Sequence, residues 1–372
     1  MKKPGIIWLN VSVFVITGLI TVIGVPVYAF YHGFDGWQIT AMVVGVFICE
    51  ISITAGYHRL WTHRAYQAHW TVRLLLALGG TYATQNSILH WASDHRRHHR
   101  YVDDKDKDPY SAQRGFWHSH IGWMLRHYPA TIDTEYSNCR DLKQDKIVMW
   151  QHKHYLPLVL ALNFGIPIAL GLWHGDLLGM LILAGAARLA ISHHMTFLIN
   201  SLAHVWGRQP YSDTNSSRDN GLIALLTMGE GYHNYHHNFQ RDYRNGIRWW
   251  QFDPTKWLIR SLAWMGLATH LYRTPLEKIE RSRAQMLLTK TSRKLAGLPH
   301  ADLMILRLQT EYDILLKKIN AFSQARRLWV EARKTVVQES YDLDALKEKA
   351  SELRENFMQQ KKDWQVLNAR IA

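Results

Sequence analysis

The chain has 372 residues, a formal net charge of +14 and two cysteines, Cys49 and Cys139. Two cysteines in different settings exclude a disulfide framework, although the length would allow two soluble domains. The positive charge could serve nucleic-acid binding. Its Lys and Arg residues instead flank long apolar runs, where anionic lipid headgroups attract such side chains. We therefore expect a membrane protein that binds no nucleic acid.

Four apolar runs predict membrane-spanning helices, since about 20 residues cross a hydrocarbon core of about 30 Å. They cover residues 6–31, 37–57, 155–173 and 177–199. The first run is too long for the apolar part of a secretory signal, so we expect it to be an uncleaved span. The short links between paired runs predict two helical hairpins.

The charges around the runs predict their orientation. Links 32–36 and 174–176 contain no Lys or Arg, whereas residues 58–154 contain 14, and Lys2 and Lys3 precede the first run. Lys and Arg are retained on the cytoplasmic side. Both termini and the large polar segments are therefore expected in the cytoplasm.

Nine histidines fall in four clusters next to the runs. They are His58 and His63; His95, His98 and His99; His204; and His233, His236 and His237. In the two triplets, positions i, i+3 and i+4 share one helix face, so each triplet can direct three imidazoles at one point. Positions i and i+5, as in His58 and His63, do not share a face of a regular helix, which predicts a helix end or an irregular turn.

Imidazole binds zinc, copper, iron and nickel, and nine imidazoles exceed the needs of one four-coordinate ion. A site for two metals is therefore expected. Acidic neighbours could fix the imidazole tautomers, and the candidates are Glu50, Asp94, Glu230 and Asp242. Histidines outside the clusters are interpreted as ordinary surface or hydrogen-bonded groups: His32, His69, His174 and His270.

The remaining segments are less apolar. Residues 72–90, interrupted by Gly79-Gly80 and Gln85-Asn86, predict a helix at the membrane interface, and so do residues 256–271. Residues 276–372 predict a charged, cytosolic helical extension that breaks near residues 297–300. The expected fold is an all-α integral membrane protein with four transmembrane helices and a cytosolic helical cap carrying the histidine site. The expected domains are 1–275 and 276–372.

The histidine motifs resemble those of the membrane-bound fatty acid desaturases, in particular a bacterial-like acyl-CoA desaturase of the delta-9 type. The likeness covers roughly residues 6–275. It includes Gly56–His63, Trp91–His99, Asn200–His204, Gly229–His237 and Asp253–Trp257. The resemblance implies that the nine histidines bind two irons, with Asn200 reaching one of them through water. It also implies oxygen as co-substrate and a cis double bond at the ninth carbon of a long-chain acyl-CoA.

The resemblance further implies a set of substrate-binding residues. Asn86 and Asp94 match residues near the coenzyme A headgroup, and Arg126 corresponds loosely to a basic pair there. Trp91, Thr196 and Phe197 match residues of the acyl tunnel. Ser93 stands where the animal enzymes have arginine, which leaves a phospholipid or a carrier protein open as the acyl donor.

Other functions remain open at the level of sequence. A lipid hydroxylase could use the same scaffold, and a metal-binding membrane transporter is the non-enzyme alternative. The His-Pro-Gly-Gly haem motif of cytochrome b5 is absent, so electrons are expected from a separate protein such as a ferredoxin or cytochrome b5 with its reductase. The expected location is a bacterial inner membrane with the site on its cytoplasmic side.

Overall fold

The computed structural model of the chain describes residues 4–129, 133–334 and 342–371; Lys2 and Lys3, which support the predicted orientation, lie outside them. The described residues are mostly helical. They form two compact units, one of residues 1–209 with 214–273 and one of residues 210–213 with 274–372.

Among the described residues, four helices are long and apolar enough to cross a membrane, which confirms the prediction of four spans. They are span one, Trp8–Tyr31; span two, Gly36–Thr62; span three, Tyr155–His174; and span four, Leu177–Val205. Spans two and four continue past the predicted ends at 57 and 199, because helical backbone persists after the apolar run has ended.

Each span except the third contains a π-helical segment. Span one consists of α1 (Trp8–Leu19), a π segment (Ile20–Gly24) and α2 (Val25–Tyr31), and span three is the single helix α8 (Tyr155–His174). Span two consists of α3 (Gly36–Ile51) and a π segment (Ser52–Thr62). Span four consists of α9 (Leu177–Met180), a π segment (Leu181–Ala187), α10 (Arg188–Asn200) and α11 (Leu202–Val205).

Two aspartates in the links tie the spans together. Asp35 caps α3: its carboxylate accepts from the backbone of Trp37 and Gln38, and the Gln38 side chain accepts from the Asp35 backbone. Asp176 accepts from the Gly179 backbone at 2.8 Å, from the Tyr28 hydroxyl at 2.8 Å and from the Gln38 amide at 2.6 Å. One carboxylate therefore joins spans one, two and four.

The segment predicted as one helix over 72–90 is two helices, α4 (Trp70–Tyr82) and α5 (Ile88–Tyr101). Gly79 and Gly80 do not break α4. A Cβ at either position would overlap Ser52 or Tyr57 of span two, so the glycines allow α4 to pack closely against the π segment.

The rest of the first unit consists of short elements. They are α6 (Phe116–His120), α7 (Lys146–Lys153), α12 (Gly221–Leu226), α13 (His233–Asn238) and α14 (Pro254–Trp264), with 3₁₀ turns at Ala112–Arg114, Gly122–Met124, Ser137–Cys139 and Leu142–Gln144. Strands β1 (Gln67–Ala68) and β2 (Ala268–Thr269) pair antiparallel. The hydrophobic core includes Tyr57, Trp61, Leu76, Ile88 and Ile259 and therefore lies beside the segment that carries His58.

The second unit contains α15 (Leu276–Leu295), α16 (Ala301–Lys334) and α17 (Leu343–Ile371). The predicted break at 297–300 is confirmed, since α15 ends at Leu295 and α16 begins at Ala301. Tyr312 donates to Gln285, and Ser323 donates to Glu277, so α15 and α16 run antiparallel. Phe357 and Trp364 of α17 complete a separate apolar core.

Candidate metal centre

The π segment at the end of span two explains how His58 and His63 can act together. The backbone N–H of His63 donates to the carbonyl of His58 at 3.1 Å, which is an i to i+5 bond. Since a π-helix has more residues per turn than an α-helix, side chains five residues apart return to one face. The two imidazole centroids are 4.7 Å apart. The predicted irregular helix end is confirmed, and its form is a π-helix.

The two triplets lie on regular helices, as predicted. His95, His98 and His99 are on α5, and α13 begins at His233 and carries His236 and His237. Helical spacing places the three imidazoles of each triplet on neighbouring positions of one face. The fold brings the two helices together, and the rings of His99 and His237 stack with centroids 4.4 Å apart.

The first group contains five histidines whose Nε2 atoms converge. Successive Nε2 atoms lie 3.0 Å apart from His58 to His236, 2.9 Å from His236 to His99, 3.0 Å from His99 to His95 and 3.1 Å from His95 to His63. All five ligand atoms lie within 4.8 Å of one another. The π segment of span two, α5 and α13 each contribute at least one ring.

The second group contains the other four histidines. The Nε2 atoms lie 3.3 Å apart from His98 to His237, 3.1 Å from His237 to His233 and 3.1 Å from His233 to His204. Both triplets supply rings to both groups, so the two groups are neighbours. The structure thus brings all nine predicted histidines into two groups that could each hold a metal ion.

The spacing of the nitrogen atoms fits metal ligands. Two nitrogens about 2.1 Å from one ion are about 3.0 Å apart when the angle at the ion is 90°, and about 3.4 Å apart when it is tetrahedral. The separations of 2.9–3.1 Å in the first group match the smaller value. Five ligands at this spacing fit a coordination number above four better than a tetrahedral zinc site.

The protonation state of the rings is also consistent with metal binding. Burial in the first place, and then nearby charged or protonated groups, lowers the pKa of six of these histidines well below its ordinary value: His63, His95, His99, His233, His236 and His237. Neutral imidazole is the form that binds a metal. Several neutral rings that direct lone pairs at one point repel each other unless a cation lies between them.

Two carboxylates and two hydroxyls lie next to the outer nitrogens of four rings. The Nδ1 atom of His58 lies 3.0 Å from Glu230, and that of His98 lies 2.9 Å from Asp108. The Nδ1 atom of His95 lies 3.0 Å from the Tyr110 hydroxyl, and that of His204 lies 2.8 Å from Ser216. An acceptor at Nδ1 keeps the proton there and leaves the Nε2 lone pair for a metal.

Of the four acidic candidates, Glu230 contacts one of the nine histidines, His58, in the part of the chain that the structure describes. Asp94 pairs with His90 at 3.3 Å, Asp242 pairs with Arg244, and Glu50 accepts from Ser192. The expectation for Asp94 and Glu50 is therefore wrong. Asp108 was missed because the acidic loop after His99 offers several aspartates at similar spacing, and only the folded loop distinguishes them.

A buried ion-pair network supports Glu230. Burial alone would raise the pKa of Glu230, but the adjacent His58 and Arg59 lower it to about 2. The Arg59 guanidinium lies 2.8 Å from Glu230 and 3.0 Å from Asp253, the first residue of the Asp253–Trp257 motif. All three side chains are buried, and Asn245 donates to the other oxygen of Glu230 at 2.7 Å. The network therefore fixes the position of the Glu230 carboxylate beside Nδ1 of His58.

Asn200 is the last residue of α10, four positions before His204. It is half-buried, and its side chain makes no hydrogen bond within the described ranges. Its role as a water-mediated ligand stays a prediction.

Three of the predicted substrate residues are connected to the first histidine group. Trp91 stacks on His95 with centroids 4.8 Å apart, and its Nε1 donates to Gln85 at 3.4 Å. Gln85 donates in turn to the Thr196 hydroxyl at 2.8 Å. Phe197 is buried next to Thr196 and stacks on His193, with Phe14 at its edge. In the sequence, Gln85 stands out only as a polar interruption of the segment 72–90.

The other three predicted substrate residues lie apart from one another. Asn86 is an exposed loop residue with φ +69°, and Asp94 on α5 pairs with His90. Arg126 donates to the carbonyl of Pro4 at 2.9 Å, beside the start of span one. The structure shows no contact among the three side chains in the described ranges.

The sequence model of the family described as Fatty acid desaturase matches residues 6–273, which include all nine histidines. This is more than half of the chain, and the chain belongs to this family. Its matched region ends where the first structural unit ends, at Arg273.

Named relatives refine the comparison. The "Probable acyl-CoA desaturase" of Schizosaccharomyces pombe is 44% identical over 270 residues, which are 71% of this chain and 56% of that protein. The "Acyl-CoA Delta-9 desaturase" of Acheta domesticus is 38% identical over 294 residues, 75% of this chain and 80% of that protein. The "Acyl-CoA Delta12-desaturase" of the same organism is 37% identical over 283 residues, 74% of this chain and 78% of that protein. This chain spans about half the length of the first of these relatives.

Proposed function

We propose that the chain is an oxygen-dependent acyl-CoA desaturase that binds two irons through its nine clustered histidines. The observation that carries the proposal is the convergence of nine Nε2 atoms in two adjacent groups, within a chain of the desaturase family. The family, rather than the imidazole donors, favours iron, since imidazole also accepts zinc and copper. In this proposal Asn200 reaches one iron through water.

The reaction removes one hydrogen atom from each of two adjacent methylenes of the acyl chain. Oxygen takes up these two hydrogens together with two electrons and two protons, and two waters form. No protein side chain oxidises an unactivated methylene, and the irons, when bound, supply the activation of oxygen. The protein positions the chain and excludes competing reactions.

The residues that would position the chain are those next to the first histidine group. Trp91 places its ring against His95, and Gln85 links that ring to Thr196 at the end of span four. Phe197 adds an apolar wall. An acyl chain that follows this surface lies beside the metal ligands, where differences of about an ångström decide which carbon reacts.

The substrate proposal rests on the relatives, and in it Asn86, Asp94 and Arg126 would contact the coenzyme A headgroup. Relatives of nearly equal identity are named for two bond positions, Delta-9 and Delta12. We propose that the double bond is introduced at the ninth carbon of a long saturated acyl chain. A phospholipid acyl group is the alternative substrate on the same scaffold.

The electrons would come from a separate carrier protein and its reductase. The lack of Lys and Arg in links 32–36 and 174–176 supports an orientation in which both histidine groups would lie on the cytoplasmic side. The organisms of the named relatives are eukaryotic and give no support to the bacterial inner membrane expected from the sequence.

The position of the histidine groups argues against a metal transporter. His58 and His204 lie near the ends of spans two and four, and the remaining seven histidines lie outside the spans. Transport sites usually form near the middle of the bilayer. A histidine site at one end of the spans suits an enzyme that acts on a chain emerging from the lipid.

Product analysis in a desaturase-deficient host tests the proposal. The wild-type chain should give a cis-monounsaturated fatty acid whose double bond, located by mass spectrometry, lies at the ninth carbon. His236→Ala should give none, whereas His154→Ala, an exposed histidine outside both groups, should behave as wild type. A hydroxylated product would indicate the hydroxylase instead, and metal uptake without any lipid product would indicate transport.

A further inference from the structure

Span two contains one acidic side chain, Glu50, which is fully buried. Its Oε1 atom accepts from the Ser192 hydroxyl at 2.7 Å and from the Thr196 hydroxyl at 3.4 Å. Its Oε2 atom has no partner in the described part of the chain. Acidic groups inside membrane spans are costly and usually serve a function, and Glu50 has none in the metal centre described above.

The bonds of Glu50 belong to a continuous chain of contacts. Thr196 donates to Glu50 while it accepts from Gln85 at 2.8 Å, and Gln85 accepts from the Trp91 indole at 3.4 Å. The Trp91 ring is stacked on His95 with an interplanar angle of 22°. These contacts therefore connect the interior of span two, through span four and the loop before α5, to the Trp91 ring, which stacks on the candidate metal ligand His95.

The direction of the hydrogen bonds gives Glu50 a specific part in this chain. A threonine hydroxyl can donate in several directions, and its proton points where an acceptor lies. Glu50 supplies that acceptor, so the lone pairs of Thr196 face Gln85. Without Glu50, Thr196 could turn its hydroxyl towards its own helix, and Gln85 and Trp91 would lose their fixed positions.

We propose that Glu50 is a positioning residue that fixes Thr196, Gln85 and Trp91, and thereby the carbon pair at which hydrogen is removed. This inference rests on the proposed desaturation. It adds a determinant in span two that neither the family motifs nor the metal geometry assign. Glu50 touches no candidate metal ligand, so its effect is expected on the choice of carbon rather than on metal binding.

Glu50→Met tests the proposal, because methionine has a similar length and accepts no comparable hydrogen bond. We expect the ratio of the main positional isomer to the others to fall about two- to twelvefold, the range that corresponds to the loss of one hydrogen bond of about 0.5–1.5 kcal/mol. The metal content should stay at the wild-type value. Glu50→Gln keeps an acceptor oxygen in place and should restore the wild-type ratio.

The matched control is Cys49→Ala. Cys49 is buried one position away, but its thiol lies near Arg188, outside the chain of contacts to Trp91. This variant should keep the wild-type isomer ratio. Thr196→Val should reproduce the shift of Glu50→Met, and the double variant should shift no further, since both changes break the same chain.

Several results would overturn the proposal. One is a Glu50→Met protein with lower stability or rate but an unchanged isomer ratio, which would make Glu50 a structural tie to Ser192. Another is a double variant in which the two shifts multiply. If Glu50→Met does not accumulate in the membrane, Glu50→Asp provides the test instead, because it withdraws the carboxyl group by one methylene. An unchanged isomer ratio in Glu50→Asp would then overturn the proposal. A wild-type chain without any unsaturated product would instead refute the proposed function.

Discussion

At the scale of single residues, the candidate metal ligands are positioned by groups that are not themselves candidate ligands. His98 directs one nitrogen at the second group and the other at Asp108, both residues being buried. Asp108 also accepts from the backbone of Asp103 and Tyr110, so the loop after α5 holds the carboxylate in place. Removing such a partner typically weakens metal binding about 10- to 100-fold.

We therefore expect Asp108→Asn to weaken metal binding about tenfold or more, because the neutral amide supports the ring less well than a carboxylate. Competition with a chelator during metal release measures this. Asp104→Asn, in the same loop but with a half-buried carboxylate that accepts from the backbone of Asp106 and Lys107, is the matched control. Equal chelator sensitivity of the two variants would contradict the role of Asp108.

A substitution of Phe197 tests whether this residue lines the acyl channel. Its ring packs against Phe14 and His193 and is 4% exposed, so Phe197→Ala opens space beside Thr196. The variant should broaden the chain-length or positional distribution of the products while the metal content changes little. Phe164→Ala in span three, where the ring is 57% exposed, should leave the distribution unchanged. Equal distributions in both variants would place Phe197 outside the channel.

At the scale of elements, the packing of α4 against span two positions His58. The π segment brings His58 and His63 to one face, and Gly79 and Gly80 let α4 approach its outer side. Gly80 faces the ring of Tyr57, the residue immediately before His58. A side chain at this position would push the two elements apart.

Gly80→Ala should therefore destabilise the first unit by about 1–3 kcal/mol, the usual cost of overpacking. Gly165→Ala is the matched control, since Gly165 is also inside a helix but has open space around it. There the higher helix propensity of alanine should be neutral or stabilising. Thermal unfolding in detergent compares the two. A Gly80→Ala protein as stable as Gly165→Ala would contradict the close approach.

Periodicity and apolar length predicted much of this architecture. Four spans and the facing rings of each triplet follow from patterns within one segment. The π segment does not, because an α-helix and a π-helix share the same apolar run and differ only in backbone hydrogen bonds. Asp108 and Gln85 could not be selected either, since their partners lie in distant segments. The position of Arg126 against Pro4 depends on how residue 126 folds back on the start of span one.

At the scale of the whole molecule, the proposed orientation places link 32–36 outside and the polar segments inside. His32 is exposed in this link, and Lys347 is exposed on α17. In intact cells, a membrane-impermeant thiol reagent should label His32→Cys but not Lys347→Cys. The native thiols Cys49 and Cys139 are buried, so the unmodified chain serves as the background control. Labelling of Lys347→Cys from outside would overturn the orientation.

The central claim is that nine histidines hold two metal ions side by side, and the metal content per chain tests it most directly. Protein purified without added metal should contain two metal ions per chain by elemental analysis, iron being the proposed metal. His236→Ala should lose an ion from the five-histidine group, and His98→Ala one from the four-histidine group, while His154→Ala should keep both. A single metal ion per chain in the wild type, or an unchanged content in both cluster variants, would contradict the account.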